Sequence, residues 1–86
     1  MRWNENMRVI EALRYIHTEW VIFADMDEKD YRKVFTKPMK TKNIPWDRLR
    51  RIEWKWVSSI NFNEKDGILI IRYSAKRPIY ERGYEK

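Results

Sequence analysis

Between Ile52 and Phe62 the chain alternates apolar and polar side chains almost residue by residue. Ile52, Trp54, Trp56, Ile60 and Phe62 hold the even positions, with Ser58 the exception; Glu53, Lys55, Ser59 and Asn61 hold the odd ones, with Val57 the exception. A period of two sends successive side chains to opposite faces of an extended backbone, so the segment reads as a half-buried strand with Trp54 and Trp56 in the core. Such a strand cannot satisfy its backbone donors and acceptors alone, and the chain must supply partners. Asn63-Glu64-Lys65-Asp66-Gly67 has the chemistry of a turn, and Ile68–Tyr73 returns as a second strand.

The first half reads differently. Val9, Leu13, Ile16 and Trp20 recur at helical spacing with Ile10 beside them, which predicts a helix over residues 5–18 with Asn4 as its N-cap. Trp20-Val21-Ile22-Phe23-Ala24 is β-branched and aromatic and reads as a buried strand. The acidic turn Asp25–Asp30 follows, then a partner strand over Tyr31–Lys37 that Pro38 stops. Ile44–Leu49 reads as a short helical turn, and residues 79–86 as an edge strand or a loose tail. The order is helix, hairpin, short helical turn, hairpin. It predicts one α+β domain over residues 1–86, its N-terminal helix packed on an antiparallel sheet of about four to five strands.

A chain of 86 residues buries only about 60% of its unfolded surface, so its core depends on large side chains. Five Trp, five Tyr and three Phe supply them. With no Cys there is no disulfide, no thiolate nucleophile and no Cys-held zinc, and a reducing, cytoplasmic setting is expected. The longest apolar run, Trp20–Ala24, is far short of the roughly 20 residues that span a bilayer, so no membrane role is expected. The high content of charge and the absence of Gln match a thermophile's balance, in which ion-pair networks are common.

Charge is unevenly placed. The chain carries a net +6, and Arg32–Lys55 holds nine basic residues against two acidic ones. Basic side chains near aromatic rings neutralise phosphates while the rings stack on bases, so the expected partner is a nucleic acid, RNA rather than DNA. The expected contact residues are Lys37, Lys40, Lys42, Trp46, Arg48, Arg50, Arg51 and Lys55, with Arg72, Lys76 and Arg77 extending them. Arg48, Arg50 and Arg51 would act as phosphate forks, and Trp46 would stack. A solvated basic surface, in which the acidic turn pairs with the basic loop, is the plainer reading of the same pattern. A protein–protein module or a homodimeric viral or archaeal accessory protein is the alternative function.

Nothing in the chain has the spacing of a catalytic or cofactor site. His17 is the only histidine, and Gly67 and Gly83 are the only glycines, which leaves no phosphate-cradling Gly-rich loop. No cofactor and no metal site is expected, because Asp25, Asp27 and Asp30 lack the spacing and central Gly of a calcium loop. One pattern leads elsewhere. Glu53-Trp54-Lys55 is an E-x-K on the strand read over 52–62; Asp25 and Asp27 follow an earlier strand, and Glu11 or Glu19 lies on the leading helix. That order resembles the PD-(D/E)xK nuclease family. The resemblance implies Mg²⁺ held by an Asp and a Glu, with a Lys steadying the attacking water. It covers a handful of positions and lacks the helix that follows the E-x-K strand in that family.

Overall fold

A computed structural model describes residues 7–77. Helix α1 spans Val9–Tyr15, shorter than the periodicity suggests. Its start is set by Arg8, whose backbone N–H donates to Glu11 Oε1 at 2.8 Å, one half of a capping box. Asn4, the expected cap, lies outside the described residues. Ile16 is already extended, and Trp20 belongs to the following strand, so its place in the helical stripe was coincidental. Val9 and Ala12 are buried beneath the helix, with Leu13 and Ile16 packed at its margin.

Four strands follow: β1 (Trp20–Asp25), β2 (Met39–Lys40), β3 (Trp56–Asn63) and β4 (Ile68–Ser74). A second helix, α2 (Trp46–Ile52), precedes β3. The class is α+β, with the N-terminal helix on the sheet, as expected. The sheet is mixed rather than wholly antiparallel: its order is β2-β1-β4-β3, and β1 runs parallel to β4. The reason lies in composition. Trp20–Ala24 and Ile68–Ile71 are unbroken apolar runs, which are best buried as neighbours in the middle of a sheet. β2 and β3, shorter or more polar, take the edges. Val21, Phe23, Leu69, Ile71 and Tyr73 face α1 and form the core with Val57 and Ile52. The Phe23 and Tyr73 rings meet edge to face at 6.4 Å.

The strand expected over Tyr31–Lys37 does not form as such. Tyr31–Lys33 is a 3₁₀ turn, capped by Asp30, whose carboxylate accepts the Arg32 N–H. The chain then runs antiparallel to β1 with an irregular ladder: Phe35 bridges Ala24, and the Thr36 hydroxyl accepts the Phe23 N–H at 3.1 Å. Regular pairing resumes at β2, after Pro38, which has no N–H to give.

The strand expected from residue 52 begins only at Trp56. Ile52 closes α2 and is buried from there, while Glu53–Lys55 form the turn. The alternation is then broken by a bulge, since Val57 pairs with Tyr73 and Ser59 with Arg72, leaving Ser58 as the extra residue. The bulge exchanges odd and even positions, so Val57 and Ile60 share the core side. Trp54 was expected in the core and is instead 63% exposed. Trp56 is half-buried, on the side opposite Val57.

Two local devices fix the ends of the central strands. The Ser74 hydroxyl and the Ala75 N–H donate to the Asp27 carboxylate at 2.9 and 2.8 Å, and these bonds hold that carboxyl below its ordinary value. Gly67 closes the β3–β4 turn at φ +65°, donates to Asn63 O, and accepts the Trp20 N–H. A Cβ at Gly67 would meet nothing within 4 Å, so only the backbone conformation resists a side chain. Gly67→Ala is therefore expected to cost about 1 kcal/mol of unfolding free energy, read from the shift in urea midpoint. No helix among the described residues is long and apolar enough to cross a membrane.

Candidate nucleic-acid interface

α1 and the core occupy one face of the sheet. The register defines what the other face carries. Lys40, Trp20, Ile68 and Asn63 form one row across the strands; Ile22, Ile70 and Asn61 form the next. Phe35, Ala24, Arg72 and Ser59 form a third, and Ser74 beside Trp56 a fourth. No helix of the described residues has its buried side chains in these rows. Trp20, Ile22, Ile68 and Ile70 are half-buried, and Phe35 is 51% exposed. The centre is therefore apolar, with aromatic rings at both ends and amides and a hydroxyl along the β3 edge.

The basic residues are held in an unusual way. Ion pairs between described residues join Arg32 to Asp30 and Lys40 to Glu19, at 3.2 and 3.4 Å, and all four side chains are at least partly solvated. Exposed pairs of this kind contribute roughly 0–1 kcal/mol, and the two pairs share no member, so they form no network between described residues. Several cations lie over rings, Lys40 in addition to its carboxylate. Lys40 Nζ is 5.3 Å from the Trp20 centroid, the Arg72 guanidinium 5.7 Å from Phe35, and the Arg50 guanidinium 4.6 Å from Trp46. Trp56 is approached by Arg8 at 4.0 Å and by Arg77 at 5.2 Å. A ring orients a cation without cancelling its charge, whereas a carboxylate does both. For Arg50 and Arg72, which make no ion pair among the described residues, the charge stays available to an incoming anion.

The eleven residues expected at the interface fall on several surfaces. Lys40, Arg72 and Arg77 border the open sheet face, and Arg72 also donates to Asn61 Oδ1. Trp46, 68% exposed, and Arg50 stack together on α2. Arg48, Arg51 and Lys55 line a cleft with Asp25, Asp47 and Tyr73. Lys42 lies beside His17 and Thr18, while Lys37 and Lys76 are exposed without a ring partner. Trp20, Phe35 and Asn61 were not singled out from the sequence. Their signal was the missing polar alternation in Trp20–Ala24 and Ile68–Ile71: a strand with apolar residues on both faces, in a sheet with helices on one, leaves an apolar face open.

The nuclease reading expected Glu53 and Lys55 on a strand. Glu53 and Lys55 sit in the turn after α2, not on a strand, and the described residues contain no group of three His, Cys, Asp or Glu side chains placed to hold a metal ion. His17 is exposed beyond the end of α1. No family model, curated protein or solved structure matches this chain.

Proposed function

We propose that this chain is a non-catalytic binding protein for single-stranded nucleic acid, RNA rather than DNA, and that the open sheet face is the platform. The observation that carries this reading is the placement of Arg72 over Phe35, with no carboxylate paired to it among the described residues, and of Lys40, which also pairs with Glu19, over Trp20. Unpaired bases present a π-face to stack on such rings, while the phosphates between them meet cations already held in place. A duplex hides its base faces and offers no such fit, so single strands are the favoured ligand. The amide of Asn61 and the hydroxyl of Ser59, on the same face, suit the 2′-hydroxyl that distinguishes RNA.

The test is fluorescence anisotropy with labelled decauridylate, decathymidylate and a DNA duplex at several salt concentrations. Saturable binding in the order RNA, single-stranded DNA, duplex is expected, with log affinity falling linearly against log salt. Equal affinity for all three ligands, or none at 50 mM salt, would overturn the platform. The half-buried aliphatic residues Ile22, Ile68 and Ile70 also suit a second copy of the chain, which is the competing reading. It predicts a concentration-dependent dimer in light scattering that Ile22→Lys disperses.

A further inference from the structure

On the side of the sheet that carries the helices, the carboxyl ends of the two parallel strands bring Asp25 and Tyr73 together beneath α2. A cleft of about 360 Å³ lies there, within the roughly 300–1,000 Å³ of small-ligand sites. Its rim holds Arg48 and Arg51, neighbours at i and i+3 on α2, and Lys55 from the turn that follows. Arg48 and Arg51 have no ion pair, hydrogen bond or ring contact among the described residues, and Lys55 Nζ lies over the Tyr73 ring at 5.5 Å. Asp25 is occupied in part, its Oδ1 accepting the Asp27 N–H at 2.9 Å; Asp47 has no such bond. Three cations thus face one space without a carboxylate paired to any of them.

We infer that this cleft is a phosphate site, distinct from the sheet face, in which Arg48, Arg51 and Lys55 hold the phosphate of a nucleoside phosphate. The two guanidinium forks suit the tetrahedral oxygens, and Lys55 adds a point charge. Burial and the neighbouring Asp25 push the Tyr73 hydroxyl up from its ordinary value, with Arg48 drawing it partly back. The hydroxyl stays protonated through neutral pH and can donate. Asp47 lines the same cleft, and its carboxylate, with no hydrogen bond among the described residues, can accept from a sugar hydroxyl. The phosphate can come from a free nucleotide or from one residue of a bound strand. Arg50, between the two arginines in sequence, stacks on Trp46 and does not line the cleft, so it serves as an internal control.

The experiment is an amide chemical-shift titration of the full chain with 5′-AMP, inorganic phosphate and adenosine, with backbone spectra confirming that each variant is folded. AMP and phosphate are expected to shift resonances around Arg48, Arg51, Lys55 and Tyr73, and adenosine to leave them in place. Arg48→Gln and Arg51→Gln should each weaken AMP about 10-fold or more, and Arg50→Gln should leave it unchanged. Adenosine binding as tightly as AMP, unchanged affinity in Arg48→Gln and Arg51→Gln, or an equal loss in Arg50→Gln would each overturn the site. Displacement of AMP by decauridylate at a lower concentration than by AMP itself assigns the phosphate to a strand, and the reverse assigns it to a free nucleotide. AMP binding that survives substitutions on the sheet face separates this site from the platform, so either can fail without the other.

Discussion

Replacing Phe23 by Ala is expected to remove about 3–5 kcal/mol of stability. Phe23 is 1% exposed, at the centre of β1, and its ring meets Tyr73 edge to face between the strands and α1. Truncation forfeits the transfer free energy of the ring and leaves a cavity among Val21, Leu69 and Ile71, which are anchored in the sheet and cannot collapse into it. A domain of this length has about 4–13 kcal/mol in total, so the variant is expected to lose about a quarter or more of its stability. Urea unfolding followed by circular dichroism measures this directly. Phe62→Ala provides the contrast: the register puts Phe62 on the same side as Leu69, but it is 51% exposed at the rim, and a loss below about 1 kcal/mol is expected. Losses of similar size at the two positions would mean that the core is not centred between α1 and the β1–β4 pair.

The second large effect concerns binding. Trp20→Ala with Phe35→Ala removes two of the rings on the open face and leaves Trp56, each ring being worth about 1–3 kcal/mol of stacking. Affinity for decauridylate is expected to fall at least 30-fold, while the salt slope, which counts neutralised phosphates, stays the same. Lys40→Ala with Arg72→Ala should do the opposite: a moderate loss of affinity and a slope shallower by about 1.4, from two contacts at roughly 0.7 each. Trp20 is half-buried, so Phe35→Ala alone serves as the variant that leaves the sheet intact. If removing rings flattened the slope and removing cations did not, the division of labour between stacking and charge would be wrong. If neither pair mattered, binding would lie elsewhere, with Trp46 and Arg50 the next residues to replace.

The two surfaces differ in how legible they were. Arg48, Arg51 and Lys55 stand out in a linear reading because they cluster in sequence, and α2 and its turn keep them together. Their neighbour Arg50 is sent to Trp46 by the helical repeat alone. The sheet face is assembled from residues nearly fifty positions apart, such as Trp20 and Ile68, which no local pattern links.

What the sequence by itself determined was the kind and order of elements: a leading amphipathic helix, the apolar run at Trp20, a turn of Asp and Glu, a short helix after Pro45, and a hairpin about Gly67. These follow from side-chain periodicity and turn chemistry, which act over a few residues. Only the tertiary structure decided the parallel docking of β4 on β1, because both edges of a strand offer the same donors and acceptors, and burial of the whole sheet chooses between them. It also decided the fate of the tryptophans. The alternation over 52–62 was real, but α2 took Ile52, the turn after it took Glu53–Lys55, and one bulged residue, Ser58, exchanged the faces of the rest. A period of two carries no record of such a slip, so Trp54 was sent to solvent and Val57 to the core by packing rather than by pattern.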